Sequence, residues 1–259
     1  LNEQFMLGEA QTEIHEFIWG TFCDWYIEMT KVRLRMGDQS PLPILANVLE
    51  ASLRLLHPFM PFLTEELWQR LMQVLPNRGP TPAALMVASY PTPNHDLTDP
   101  TAESQIQSVI ELITGIRNIR AEFKVEPRRQ LEAFIATGDG HWTTIASEVE
   151  VIQTMAGIKN LRRLKQNDNP PVSQNTANLV VEKAIVYLAL GSAIDVAVER
   201  IRLDNELLSL ENAFQQLDGR LNNPEFLAKA PEEVVEKERL RMEALAERKS
   251  RLRDLLHQL

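Results

Sequence analysis

The side chains of this sequence best placed to do chemistry are basic, and the chemistry they could do is to hold phosphate. Lys31, Arg33 and Arg35 alternate, with Asp38 the nearest acid after them. Arg117, Arg120 and Lys124 fall on one row of a helical projection beside an apolar stripe, and Arg128 and Arg129 continue the cluster past Pro127. Lys159, Arg162, Arg163 and Lys165 form a third group with no acid among them. Arg248, Lys249, Arg251 and Arg253 form a fourth, flanked by Glu247 and Asp254. Several cations in one place release several counterions from a nucleic-acid backbone together. Each cluster also has a plainer reading, as a solvated helix face with local ion pairs.

Enzyme constellations are missing from the sequence. It has no GxxxxGK[ST] loop, no GxGxxG, no HExxH and no GxSxG. The five histidines, His15, His57, His95, His141 and His257, pair neither with one another nor with a carboxylate at metal-ligand spacing. No catalytic residue and no metal ligand is therefore expected. His57 before Pro58 reads as a satisfied helix-end histidine, and Glu65 and Glu66 read as first-turn charges rather than an acid/base pair. Cys23 lies in an apolar helical segment and reads as a small core residue. As the single cysteine it excludes a disulfide framework and a CxxC zinc site, and it fits a reducing, cytoplasmic compartment.

These clusters need elements to carry them. The chain has 259 residues, 44% hydrophobic and 24% charged, enough for one to three domains with cores of their own. No apolar run approaches the length of a membrane span, so no membrane partner is expected. Residues 1–75 read as helical: Ile14, Ile18, Phe22, Trp25, Met29 and Val32 make one stripe, and Leu45, Leu49, Leu53 and Leu56 another. Pro58 and Pro61 break the second helix, Thr64 is placed to cap the next, and Leu67, Trp68, Leu71, Met72 and Leu75 fill that one. Proline-rich residues 76–102 read as a loop with a short strand near Leu85–Val87, followed by a long helix from about Thr101 to Val125.

Residues 130–190 change character. Leu131–Ile135 and Ile158–Leu164 read as strands around a helix over His141–Ala156, Asn167–Asn178 as a polar loop, and Val180–Leu190 as a strand pair or one long strand. From Glu199 the period becomes heptad: Leu203, Leu207, Leu210, Phe214, Leu217 and Leu221 form one seam. Val235, Glu238, Met242, Leu245, Lys249, Leu252, Leu256 and Leu259 form a second, after a break at Asn222–Pro231. Two seams joined by a short break favour an antiparallel hairpin within the chain, projecting about 35–40 Å, over an intermolecular dimer. The fold class is therefore mainly α: a helical bundle over 1–126, a small α+β connector over 127–198, and a coiled-coil arm over 199–259.

The net charge of −9 first argues against a nucleic-acid binder. Segment by segment the picture differs. The arm carries 11 basic and 13 acidic residues, against 16 and 23 in the remaining 198. Four clusters on an acidic chain leave RNA binding and a helical scaffolding role both open.

Two strings break that balance. Phe22-Cys23-Asp24-Trp25-Tyr26-Ile27-Glu28 and His57-Pro58-Phe59-Met60-Pro61-Phe62-Leu63-Thr64-Glu65-Glu66-Leu67-Trp68 resemble the anticodon-binding bundle of class I aminoacyl-tRNA synthetases. Arg117-Asn118-Ile119-Arg120-Ala121-Glu122 is similar to the segment after the bundle in the valyl enzymes. The stretch from Leu221 to Val235 (LNNPEFLAKAPEEVV) resembles the hairpin tip of the C-terminal coiled coil of bacterial-type valyl-tRNA synthetases. An isoleucyl enzyme would bring a C-terminal cysteine cluster for zinc, which Cys23 alone cannot supply.

The resemblance implies the C-terminal portion of such a ligase, whose parent joins valine to its tRNA using ATP and edits threonine errors. The HIGH and KMSKS signatures do not occur here, so the chain by itself is expected to be inactive, with no cofactor of its own and ATP used by the parent. The chain starts at Leu1 within a helical pattern, and the first helix of the bundle is expected to precede it. The implied partners are valine tRNA and the catalytic domain of the same polypeptide, in a monomer. Lys31, Arg33, Arg35 and Arg54 are expected on the anticodon side. Arg117, Arg120 and Lys124 either touch RNA or hold the bundle to the body. Arg239, Arg241, Arg248, Lys249, Arg251 and Arg253 are expected to meet the outer corner of the tRNA through phosphate and sugar.

Overall fold

The computed structural model describes residues 6–75, 82–165, 168, 176–181, 184–191, 196–223, 226 and 231–258. Most of the expected 167–178 loop and much of the 221–235 string lie outside them, as does Leu259. The chain divides into two compact units, Leu1–Ile110 and Glu111–Leu259.

In the first unit, α1 (Leu7–Glu16) runs through the more widely wound Phe17–Ile27 into α2 (Glu28–Arg35) without a break in helical backbone. Phe22, Met29 and Val32 of the expected stripe are buried. The rod ends at Gly37, whose φ of +88° suits a residue without a Cβ. Helices α3 (Leu42–Leu56) and α4 (Pro61–Val74) each carry a proline in the first turn, where no amide donor is needed. Leu53, Trp68 and Leu85 form a core with Leu71, Met72 and Ala88 against it.

The buried face of α3 is turned from the expected one. Leu49 is exposed while Glu50 is buried. That carboxylate accepts from Trp68 Nε1 at 3.1 Å and from Arg54 Nη2 at 2.7 Å, so its burial is compensated. Leu49 instead borders an apolar groove of about 780 Å³ with Phe22, Ile27, Leu42, Leu45 and Leu75. Thr64 is not an N-cap, because α4 already begins at Pro61. Its hydroxyl donates back to the Met60 carbonyl at 2.8 Å and meets His57 Nδ1 at 2.8 Å. Leu85–Val87 is a 3₁₀ turn rather than a strand, tied down by its Leu85 amide donating to Glu65 Oε2 at 2.8 Å.

The helix α5 spans Pro100–Glu122. In the second unit its Leu112, Ile113, Ile116 and Ile119, with Phe123 beyond its end, are buried. The strands are β1 (Leu131–Thr137), β2 (Ile158–Leu164), β3 (Thr176–Val181) and β4 (Ala184–Ala189), in sheet order β2-β1-β4-β3. β1 and β2 are parallel, and the other pairings antiparallel. The pair expected over Val180–Leu190 forms, but β3 begins earlier, at Thr176.

The single helix expected over His141–Ala156 is two, α6 (Asp139–Ser147) and α7 (Val149–Ala156), because Glu148 leaves helical backbone at φ −113°, ψ 18°. One face of the sheet is packed, through Ala133, Ile135, Ile158, Leu161, Ala177, Val186 and Leu188. A Cβ on Gly115 of α5 would stand 2.7 Å from Leu179 Cδ1, so helix and sheet meet there as closely as side chains allow.

Helices α8 (Val196–Leu221) and α9 (Glu232–Gln258) pack as an antiparallel hairpin. Glu206 meets Arg248 far from the connection, and Arg220 meets Glu238 near it. At 26 and 27 residues each helix is about 39–40 Å long. Leu203, Leu217, Val235 and Leu252 of the heptad seams are buried, and Leu255 joins them at the root.

Candidate nucleic-acid interface

The last turn of α2 presents Arg33 and Arg35, where the negative end of the helix dipole favours cations. Both are exposed, as is Lys31, which pairs with Glu28 at 2.6 Å on the same helix face. Arg33 also faces Asp38, whose carboxyl is held below its usual range, first by the Ser40 hydroxyl and amide and then by Arg33. Arg54 is in a different position. It donates to Glu50 through Nε and Nη2 and to the Ser89 carbonyl through Nη1 at 2.8 Å. It clasps the 82–90 loop to α3.

The row on α5 likewise resolves into separate roles. Arg120 is 8% exposed, and its Nη atoms reach the carbonyls of Gly157 and Glu126, both at 3.1 Å, and of Pro127 at 3.5 Å. Burial lowers its pKa. Gly157, at φ +67°, ends α7 in left-handed backbone, and a Cβ there would lie 3.1 Å from the guanidinium carbon. Arg120 is thus a strut between α5 and the sheet, with its donors taken by backbone oxygens. Arg117 Nε donates to the Met155 carbonyl at 2.8 Å. Lys124 is exposed, in left-handed backbone at φ 49° just past the helix.

On the arm, the expected cations stand mostly in ion pairs. Arg248 reaches Glu206 and Arg253 reaches Glu211, each at 2.8 Å across the hairpin. Arg251 Nε lies 3.3 Å from Glu122 at the end of α5. Lys249 Nζ stands 4.9 Å from the centre of the Phe214 ring. Arg239 and Arg241 make only loose pairs with Glu236 and Glu238, at 3.7 and 3.8 Å. All five arginines are more than half exposed, so their charges face solvent even while paired.

Sequence reasoning missed the hub of this arrangement, Arg202. It binds Glu199 through two nitrogens, donates to Glu206 at 2.9 Å, and reaches the Glu122 carbonyl at 3.3 Å. Glu199 chiefly raises its pKa. Glu206 accepts from both Arg202 and Arg248, and its carboxyl is held below the usual range, chiefly by Arg248. The spacing Glu199, Arg202, Glu206 was visible as an i, i+3, i+7 run on one helix face. Arg220 is the tip counterpart, 4.5 Å from the Phe226 ring centre. Among the described residues no group of three or more His, Cys, Asp or Glu could hold a metal.

Comparison with known proteins gives this geometry a context. Residues 1–135 match the family model described as the anticodon-binding domain of tRNA ligase. Residues 195–259 match the one described as the valyl tRNA synthetase tRNA binding arm. A valine–tRNA ligase of Dehalococcoides mccartyi (strain CBDB1) is 39% identical over 98% of this chain. Those of Carboxydothermus hydrogenoformans and Thermotoga maritima are 39% and 36% identical over 93% and 99%. The chain spans 27–29% of the length of these three relatives. With more than half of its residues matched by a single model, the chain belongs to the anticodon-binding-domain family of tRNA ligases.

Proposed function

We propose that this chain is the tRNA-binding part of a cytoplasmic, monomeric valine–tRNA ligase, and that the catalytic part of the same polypeptide performs the ATP-dependent joining of valine to its tRNA. Residues 1–126 act as the anticodon-binding bundle, 127–198 as a connector, and 199–259 as an arm laid on the outer corner of the tRNA. The observation that carries this reading is the succession, in one chain, of an anticodon-binding-domain match and a tRNA-binding-arm match. Lys31, Arg33 and Arg35 act on the anticodon side, and Arg239, Arg241, Arg248, Lys249, Arg251 and Arg253 on the arm. Lys124 adds a charge near the arm's root. The arm's cations exchange carboxylate partners for phosphates, a trade of one exposed ion pair for another that releases counterions.

The test is binding of the 259-residue chain to valine tRNA and to an unrelated tRNA across salt concentration. Tighter binding to valine tRNA, with affinity falling steeply as salt rises, is expected. Equal affinity for both, with a flat salt response, overturns the reading. The chain alone is expected to form no valyl-adenylate.

A further inference from the structure

Within the second unit, the end of α5 and the root of the arm border a cleft of about 280 Å³, and its lining residues all lie among those described. Its charged lining is four cations, Lys124, Arg202, Arg248 and Arg251, against two carboxylates, Glu122 and Glu206. The volume falls just under the ~300–1,000 Å³ of small-molecule sites, which suits one compact anion rather than a whole nucleotide. The four cations are not equivalent. Arg202 is fully committed: Nε and Nη2 donate to the buried Glu199, Nη1 to Glu206, and Nη2 also to the Glu122 carbonyl. It ties α8 to α5 and has no donor left for a ligand. The other three are open to an outside anion. Lys124 is exposed, stands just past α5, and makes no ion pair among the described residues. Arg251 is more than half exposed, and its Nε meets Glu122 at 3.3 Å, longer than the ~2.7–2.9 Å of a strong charge-assisted bond. Arg248 is also more than half exposed, and its partner Glu206 keeps Arg202 when Arg248 lets go, so no carboxylate is stranded.

We propose that this cleft binds one backbone phosphate of a bound RNA through Lys124, Arg248 and Arg251, and that Glu122 holds the place of that phosphate on Arg251 in the free chain. The inference rests on the RNA-binding reading above. It deepens that reading by joining Lys124 to the arm's arginines in one site and by giving that site a built-in competitor. A backbone phosphate has two unesterified oxygens, so it can accept from Arg251 and from a second cation together. Glu122 offers Arg251 one long contact and leaves Lys124 without a partner. Exchanging one single negative charge for another keeps the charge of the cleft constant. The displaced Glu122 side chain, already 24% exposed, turns to water rather than being buried unpaired. Arg202 is a positioning residue: it keeps Glu206 in place and the arm root against α5, so that the three exchangeable cations line one cleft.

The experiment titrates the 259-residue chain with valine tRNA, and with an unrelated tRNA, across salt concentration. Lys124→Gln is expected to weaken binding several-fold and to reduce the slope of log affinity against log salt by about 1, the signature of one lost phosphate contact. Glu122→Gln keeps the shape of the side chain and removes its charge. It is expected to act in the opposite direction and tighten binding several-fold, because Arg251 no longer has a charged partner to give up. A purely structural pair would show the reverse, a lower melting temperature with affinity unchanged or weakened, and that result overturns the role of Glu122. If Glu122→Gln fails to fold by circular dichroism, Lys124→Gln decides alone, since Lys124 is exposed and outside the helix. Unchanged affinity and slope in Lys124→Gln, with valine tRNA still preferred by the parent chain, overturn the cleft and leave the proposed function standing. A reduced slope in Lys124→Gln without any preference for valine tRNA does the opposite: the cleft stands and the ligase reading falls. Inorganic phosphate is expected to compete with tRNA no better than chloride at equal ionic strength, because a free ion lacks the contacts of the neighbouring backbone. Stronger competition that vanishes in Lys124→Gln would assign the cleft to the free ion and overturn the RNA phosphate.

Discussion

The end of α5 and the last helix of the arm carry similar rows of cations, and the structure uses them oppositely. Arg120 has 8% of its surface exposed, and its donors go to backbone carbonyls. Arg248, Arg251 and Arg253 are more than half exposed, and theirs go to carboxylates. A carbonyl partner inside a packed junction cannot be replaced by a phosphate, because the guanidinium is not accessible to one. A carboxylate partner at the surface can, since phosphate offers the same fork to the same donors. What stands across from a cation, rather than its place in a helical row, separates a buried strut from a charge open to exchange.

The largest effect that tests this contrast is on stability. Arg120→Ala removes a charged donor from carbonyls buried around Gly157, and is expected to cost about 2–3 kcal/mol. Arg120→Lys should not restore it, because a point charge cannot span carbonyls that a planar fork reaches together. Denaturant unfolding measures both. A near-normal midpoint for Arg120→Ala, with weakened RNA binding, would return Arg120 to the interface.

The arm should behave the other way. The double reversal Arg248→Glu and Arg251→Glu is expected to lower affinity for valine tRNA by about tenfold or more. Helicity should be retained, because seam residues such as Leu203, Leu217 and Leu252 hold the hairpin. Titration with labelled tRNA, alongside circular dichroism, checks it. Unchanged affinity would make these arginines as structural as Arg120.

The parts of this contrast that depend on periodicity were legible in the sequence. The heptads of Leu203–Leu221 and Val235–Leu256 imply a hairpin because two apolar stripes of equal period must bury each other. The α5 stripe and the β-α-β character of the connector follow from the same kind of pattern. What was not legible depends on a partner distant in sequence. Arg120 and Gly157 are 37 residues apart, and no local spacing links them. Glu50 becomes buried because Trp68 and Arg54 converge on it, which outweighs the preference for placing Leu49 inside. The pairing of Phe134 with Tyr187 across β1 and β4 needs the strand register, which only the folded sheet supplies.

The smallest expected effect is on pH. Glu206 lies between Arg202 and Arg248, and its carboxyl is held below the ordinary range, first by the hydrogen bond from Arg248. A depressed carboxylate contributes stability that is fully present above the unfolded-state value, about 4.3 for glutamate, and is lost as pH falls through the lower folded-state value. The arm root should therefore loosen only in acid, by roughly 0.5 kcal/mol, since Glu206 and Arg248 are partly solvated. Melting from pH 7 down to pH 3 should show a slope in that window for the parent chain, reduced in Glu206→Gln. Equal slopes would mean that the root is held by Leu203, Leu252 and Leu255 alone. The pairing of Arg248 with Glu206 would then be free to exchange with phosphate at no cost to the arm's own fold.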